Sequence, residues 1–353
     1  MSSLFRYIEA CGSLSPSEAM LSGADFLLLS QLAYADFPES AATFGDALEG
    51  ALLLPPSPRR FGFEHKNDRR LIAETAKSRR FSALAFLGFR EKFDAEGACQ
   101  FAAFALQWDG EVAIVAFRGT DQSFAGWKEN FMLAYRSPVP AQALAVSFVA
   151  EIAERFRGSL ILCGHSKGGN LAVYAAAFSE APVRRRVKEV VSLDGLGLSP
   201  ADARHGEFQE IRDRVRVYIP RASLVGLLFE NPSGCVYIRS RAPAPLQHYP
   251  YMWWVEGCGF VPARAPARFN AYLARTLRRF VDGMEPELRE AYVEALFRVV
   301  SSAESDSVPE MLKTWRRSVP RVLGATLGID RETRRLFRRV FWIFLRAASG
   351  RMT

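Results

Sequence analysis

The fold class of this chain is decided by residues 160–174, LILCGHSKGGNLAVY. A short apolar run comes first, then a Gly-x-Ser-x-Gly turn, then a run that favours a helix. The first run is almost wholly apolar, which is typical of a parallel strand buried on both faces of its sheet. Gly164 and Gly168 flank Ser166 at positions where a Cβ atom would collide with neighbouring backbone. The stretch therefore predicts a strand, a tight turn and a helix, with the Ser166 hydroxyl exposed above a sheet.

This pattern is that of a nucleophile elbow, in which a serine attacks a carbonyl carbon. The helix N-terminus next to Ser166 favours a developing negative charge. The N–H of Lys167 is by position one donor of an oxyanion hole. The second donor is expected from an earlier strand-end loop, from the N–H of Thr120 or Asp121, with the Thr120 hydroxyl assisting. The alternative is that this loop only ends a strand whose Arg118 forms a salt bridge.

An activated serine needs a base that takes its proton. The chain has four histidines, at positions 65, 165, 205 and 248. His248 lies in a loop after the last predicted strand of the sheet, so we expect it to be the base. His165 is one residue from Ser166, its side chain must point away from the position of the base, and we expect it to serve packing.

The base in turn needs an acid that orients it. Asp194 directly follows the apolar strand predicted at 187–193, at the strand end where functional side chains of parallel sheets gather. The chain order Ser166, Asp194, His248 is the one expected for an elbow-borne serine. Glu230 and Asp213 are alternatives for the acid. Asp194 could also be part of a self-capped Asp-Gly turn without a catalytic role.

The rest of the chain predicts an α/β protein with a mostly parallel central sheet flanked by helices. Strands precede and follow Asp109-Gly110, a dipeptide typical of two-residue hairpin turns. Helix and strand then alternate, as in parallel sheets. After residue 260 the pattern is helical. We therefore expect a catalytic domain at 1–260 and a basic helical extension at 261–353.

Charge is distributed unevenly along the chain. Of 46 Lys and Arg and 38 Asp and Glu, 18 basic and 10 acidic residues follow residue 260, so the net charge of +8 arises there. A basic segment on a neutral body indicates a surface for anionic partners such as lipid headgroups. We expect peripheral membrane contact through the C-terminal helices and no nucleic-acid partner, with solvated helix faces as the alternative.

Composition also limits which cellular compartment and which cofactors are expected. No apolar run approaches the ~20 residues that span a bilayer, and the N-terminus lacks the pattern of a secretory signal. The cysteines are few and scattered, with no metal-binding spacing, and we expect reduced thiols in a cytoplasmic protein. They lie at positions 11, 99, 163, 235 and 258. Neither a metal nor an organic cofactor is predicted.

One apolar, irregular stretch, residues 222–229, is a candidate for contact with the substrate. Leu224, Leu228 and Phe229 are its candidate substrate-binding residues, because they could line or cover an acyl pocket. The same side chains could equally belong to the core.

Several motifs together resemble a known superfamily. They are Phe-Arg-Gly-Thr at 117–120, Gly-His-Ser-Lys-Gly-Gly-Asn-Leu-Ala at 164–172, Asp-Gly-Leu-Gly at 194–197 and Gln-His at 247–248. They are similar to the lipase-like α/β-hydrolases of the class 3 lipase type, and more closely to an uncharacterised bacterial branch with this same elbow. The resemblance implies an α/β-hydrolase fold and a serine hydrolase that cleaves lipid-like carboxylic esters through an acyl-enzyme.

The resemblance leaves three questions open. Class 3 lipases usually place the acid in an Asp-x-Val-Pro segment after the next strand, and residues 219–226 here contain no carboxylate. This favours Asp194 as the acid, or else the triad is incomplete. The chain could also be a non-catalytic lipase-like protein that binds lipid or a protein partner. A thioesterase or peptidase would use the same residues.

Overall fold

A seven-stranded sheet forms the centre of the protein. The computed structural model describes residues 3–38, 40–55, 63–232, 234–244, 246–264, 266–302, 307, 311, 314, 318, 321–322, 324–326 and 328–350. The strands lie side by side in chain order: β1 Ala85–Asp94, β2 Cys99–Gln107, β3 Val112–Phe117, β4 Ser159–His165, β5 Val187–Leu193, β6 Val215–Pro220 and β7 Val236–Ile238. β1, β2 and β3 pair antiparallel, and β3 to β7 pair parallel. The chain is thus a mixed α/β protein with a mostly parallel sheet, as the sequence predicts.

The predicted hairpin joins β2 to β3, but its turn is longer than two residues. The Trp108 N–H donates to the carbonyl of Val112, so residues 109–111 form the loop. The Asp109 carboxylate accepts from the N–H groups of Glu111 and Val112, each at 2.8 Å. The side chain of Asp109 therefore satisfies the donors of a three-residue loop, and the prediction of a two-residue turn was wrong.

Both faces of the sheet are buried along β2, β3 and β4. Alternate residues of these strands point to opposite sides and pack into separate apolar clusters. In β4, Ile161 and Cys163 belong to one apolar cluster, and Leu160 and Leu162 belong to the other. This arrangement explains why the strand before Ser166 is apolar from Leu160 to Cys163.

Helices cover the two faces. The first face is packed by α1 Ser3–Cys11, α2 Gly23–Leu32, α3 Phe44–Leu53 and α4 Phe63–Ala76. The second is packed by α6 Pro140–Arg155, α7 Lys167–Phe178 and α10 Gly206–Ile211. The remaining helices of this region are α5 Phe124–Met132, α8 Ala181–Arg186 and α9 Pro200–Arg204.

A small hairpin and three longer helices follow the sheet. They are β8 Val255–Glu256, β9 Gly259–Phe260, α11 Arg268–Asp282, α12 Pro286–Ser301 and α13 Arg331–Ser349. α11 is tied to the sheet region because Arg278 donates to the carbonyl of Leu227 at 2.7 Å, and α12 because Arg289 donates to that of Ala134 at 2.8 Å. Within the described ranges, no helix combines the length and apolarity needed to cross a bilayer.

A disulfide joins the two ends of the sheet-bearing region. Cys11, the last residue of α1, is bonded to Cys258 in the turn between β8 and β9, with their Cα atoms 5.9 Å apart. The prediction that all cysteines are reduced was therefore wrong for this pair. The sequence separation of 247 residues carries no local signal that could have indicated it. Cys99, Cys163 and Cys235 are free thiols.

Candidate active site

Ser166 lies alone between β4 and α7, in a backbone conformation that L-residues rarely adopt. Its φ is +58° and its ψ is −128°, and such backbone strain persists only where the surroundings enforce it. A Cβ atom on Gly164 would lie 2.2 Å from the backbone of Gly168, and one on Gly168 would lie 2.3 Å from the carbonyl oxygen of Phe117. The steric role predicted for these two glycines is confirmed, and together they allow the sharp turn that raises Ser166 above the sheet.

Asp194 follows β5 directly and pairs with His248. Its Oδ2 lies 2.7 Å from Nδ1 of the imidazole, and its carboxylate is fully buried. The same carboxylate accepts a hydrogen bond from the Ser223 hydroxyl and another, at 2.9 Å, from the Gly226 N–H. Three donors thus surround one carboxylate, which fixes its position.

The alternatives for the acid lie elsewhere. Asp213 is exposed in a short turn of 3₁₀-helix before β6, and Glu230 is exposed after the apolar stretch. Among the described residues, Asp194 is the carboxylate that contacts His248.

The side chain of His165 lies against His248, so the prediction that it points away from the position of the base was wrong. Its Nε2–H donates to the carbonyl oxygen of His248 at 2.9 Å, and the two imidazole rings are 4.5 Å apart between centroids. Burial and the neighbouring His248 hold the pKa of His165 well below its usual range, so the ring is neutral and keeps one N–H to donate. His165 therefore ties the loop that carries His248 to the end of β4.

Ser166 and His248 line the same cavity, but their side chains are not hydrogen-bonded to each other. His248 Nδ1 is engaged by Asp194, which leaves Nε2 for a partner in the cavity. Within the described part of the chain, the Ser166 hydroxyl makes no hydrogen bond. The structure thus places the predicted serine, base and acid near one another. Such a triad needs a contact between serine and base and another between base and acid. The structure contains the second contact but not the first.

The predicted oxyanion loop, residues 118–121, lies directly against the turn that carries Ser166. A Cβ atom on Gly119 would be 2.6 Å from the carbonyl oxygen of His165, so only a glycine permits this approach. Thr120 and Asp121 line the cavity with Ser166. Lys167 is the first residue of α7, and its N–H consequently has no acceptor within the helix.

The side chains of this loop are occupied by local contacts. The Thr120 hydroxyl accepts from the Asn130 amide at 2.7 Å, and the Asp121 carboxylate accepts from the N–H of Ser123 at 2.9 Å. Arg118 is buried and paired with Asp36 and Glu91. The salt-bridged arginine that the sequence offered as an alternative reading is thus present beside the candidate oxyanion donors.

A buried ion pair behind the elbow was missed by the sequence analysis. The Lys167 ammonium donates to Glu129 and to the side chain of Gln100, both at 2.8 Å, and the two charged side chains are fully buried. Glu129 accepts from the N–H groups of Gln100 and Ala141, and the Gln100 amide donates to the carbonyl of Gly119 at 3.3 Å. This network joins α7 to the predicted oxyanion loop. The available signal was a lysine followed by two glycines at the start of a largely apolar helix.

We expect Glu129→Gln to lower the free energy of unfolding by about 3–5 kcal/mol, because it leaves the Lys167 ammonium buried without a counter-charge. Chemical denaturation followed by circular dichroism measures the change. The matched control is Glu210→Gln, which breaks the pair of Glu210 with Arg184, where Glu210 is largely exposed; its cost should stay below about 1 kcal/mol. Equal costs for the two variants would contradict the structural role of the buried pair.

The cavity above Ser166 has a volume of about 1430 Å³ and a largely apolar wall. Leu228 and Phe229, two of the predicted substrate-binding residues, line it, and Leu224 does not. The C-terminal helices supply much of the opposite wall, which the sequence analysis did not foresee. The apolar lining residues of this segment include Leu277, Phe280, Val281, Met284, Tyr292 and Val293.

No group of three or more His, Cys, Asp or Glu side chains that could hold a metal ion occurs in the ranges that the structure describes. A family model described as Mbeg1-like matches residues 75–298, well over half of the chain. The match includes Ser166, Asp194, His248, the helix α11 and most of α12. No curated protein matches the chain.

Proposed function

The chain belongs to the Mbeg1-like family, and we propose that it is a serine hydrolase of α/β-hydrolase fold that cleaves lipid-like carboxylic esters. The observation that carries the proposal is the 2.7 Å contact between buried Asp194 and His248, beside a serine held at positive φ in the same cavity. An ordinary Asp-Gly turn would not explain why this carboxylate is aimed at an imidazole. The likeness of the elbow and its flanking motifs to lipase-like hydrolases supports the same function.

In the proposed reaction, Ser166 Oγ attacks the ester carbonyl while His248 Nε2 takes its proton. Asp194 accepts from Nδ1–H and stabilises the imidazolium. The N–H of Lys167 and that of Thr120 or Asp121 hold the oxyanion. The alcohol leaves with the proton from His248, and water then releases the acid from the acyl-enzyme. Substrate binding must first bring Ser166 Oγ and His248 Nε2 into hydrogen-bond contact, since such contacts often form only in the complex.

The cavity supports a large apolar acyl group. Its volume of about 1430 Å³ exceeds the ~300–1,000 Å³ of ordinary small-molecule sites. Leu228, Phe229 and Phe280 supply apolar surface around it. Long-chain esters therefore fit better than short ones.

A panel of p-nitrophenyl esters from acetate to palmitate tests the function. We expect kcat/KM to rise by up to about fourfold per methylene while the chain is still being buried. Thioesters and anilides of the same acyl groups distinguish an esterase from a thioesterase or peptidase. A best substrate of acetate, or no turnover of any ester by folded protein, would contradict the proposal.

A lipid-binding protein without turnover is the second candidate, favoured by the missing hydrogen bond between Ser166 and His248. Ether lipids, which cannot be hydrolysed at the ether, separate the two functions. A pure binding protein takes up ether and ester lipids alike and leaves the ester intact.

A further inference from the structure

α13 presents two chemically different faces. One face carries Leu336, Val340, Ile343 and Ala347, spaced at helical intervals, and packs against α11 and α12. Phe344 contacts Phe280, and Phe337 contacts Tyr292, with ring centroids 5.5 and 5.8 Å apart. This face anchors the helix to the protein.

The opposite face exposes large apolar side chains. The exposed fraction is 57% for Phe341, 61% for Trp342 and 38% for Leu345. At 100° per residue, all three point away from Val340 and Ala347. A cluster of this kind on a protein surface marks an interaction site.

Arginines are interleaved with these apolar side chains. Six exposed arginines lie on the helix, at positions 331, 334, 335, 338, 339 and 346. Glu332 is the acidic residue of the helix, so its net charge is six minus one, or +5. Among the described residues, none of the six forms an ion pair with a carboxylate. The unmatched positive charge calls for an anionic partner.

We propose that α13 docks the protein on anionic lipid bilayers, with Phe341, Trp342 and Leu345 inserted at the headgroup level and the arginines on lipid phosphates. Helices that lie in the membrane interface combine Trp, Phe and Leu with basic residues in this way. Arginine side chains can extend to the phosphates while their aliphatic stems stay against apolar groups. A flat bilayer also fits the convex surface of a helix.

Docking would place the bilayer on the outer side of α13, whose inner side packs against the wall of the Ser166 cavity. Phe280 and Tyr292 line that cavity and also contact α13. The helix that touches lipid is thus one side chain away from the cavity interior. Delivery of a membrane ester to Ser166 rests on the proposed hydrolase function, whereas the docking itself does not.

Flotation with vesicles tests the docking. The full chain should float with phosphatidylcholine vesicles that contain about one third phosphatidylserine, and far less with phosphatidylcholine alone. Phe341→Ser/Trp342→Ser should weaken binding about a hundredfold. Arg335→Gln/Arg338→Gln should weaken it about thirtyfold, and high salt should act in the same direction.

Two matched controls use exposed residues elsewhere. Met20→Ser/Leu53→Ser removes apolar side chains that are 91% and 87% exposed, and Arg185→Gln/Lys188→Gln removes two exposed positive charges. Both should float like the wild type.

The proposal is overturned if Phe341→Ser/Trp342→Ser binds anionic vesicles as well as the wild type does. It is also overturned if the wild type binds neutral and anionic vesicles equally, or binds neither. A concentration-dependent dimer that the same variant abolishes would overturn it too, because the face would then be a self-interface. Turnover of soluble short-chain esters is measured in parallel and should be unchanged in the α13 variants. A wild-type chain that turns over esters but binds no vesicles rejects the docking alone, and a wild-type chain that binds vesicles but turns over no ester rejects the hydrolase alone.

Discussion

Ser166→Ala is expected to lower kcat for ester hydrolysis by a factor of about 10⁴ to 10⁶ and to abolish labelling by a fluorophosphonate probe. The alanine cannot form the acyl-enzyme, and the remaining rate comes from the oxyanion donors and from binding. Substrate affinity should change little, because a single hydroxyl is lost from a large apolar cavity. Steady-state kinetics on the best ester, with gel fluorescence for the probe, measures both effects.

Ser137→Ala is the matched control for this prediction. Ser137 lines the same cavity and is exposed, but it lies outside the strained turn. Its replacement should leave probe labelling intact and change kcat by less than about twofold. If the two alanine variants behave alike, Ser166 is not the nucleophile.

Asp194→Asn is expected to lower kcat on the order of 10⁴-fold while the site keeps its shape. An amide has nearly the size of a carboxylate, and its oxygen can still accept from His248 Nδ1–H. It carries no negative charge, however, and so cannot stabilise the imidazolium as the carboxylate does. The NH₂ group of the asparagine must also face either the Gly226 N–H or the Ser223 hydroxyl, and both of these donate to the carboxylate in the wild type. The variant should therefore lose about 1–3 kcal/mol of stability.

Asp202→Asn provides the comparison. Asp202 is a buried carboxylate that lines the same cavity, and its described partner is Ser199 rather than a histidine. Kinetics and urea unfolding on both variants separate catalysis from stability. A loss of kcat for Asp194→Asn no greater than that for Asp202→Asn would remove Asp194 from the triad.

Much of the sheet could be predicted from sequence, because its signals are local. β4 is apolar at nearly every position and is followed by a glycine-flanked serine, which restricts the backbone to a strand and a sharp turn. The parallel arrangement then places Ser166 and Asp194 at the same edge, since both follow parallel strands. His248 could be predicted as the base only from its order in the chain, because its loop has no regular pattern.

The features that the sequence did not reveal depend on contacts between distant residues. Cys11 and Cys258 are joined only because α1 packs against the hairpin of β8 and β9. Lys167 and Glu129 meet in the interior although each alone resembles a surface residue. Leu224 was grouped with Leu228 and Phe229, yet the turn of 3₁₀-helix at 225–227 and the positive φ of Phe229 separate their directions. An irregular stretch has no period from which such directions can be deduced.

The bond between Cys11 and Cys258 has a mechanical consequence. Tension applied to the two ends of the chain would pass from α1 through this bond into the hairpin of β8 and β9, and from there to α11. The chain between the two cysteines, which includes β4 and Ser166, is bypassed by that force path. While the bond is intact, pulling on the termini would detach α11, α12 and α13 and leave the elbow unloaded.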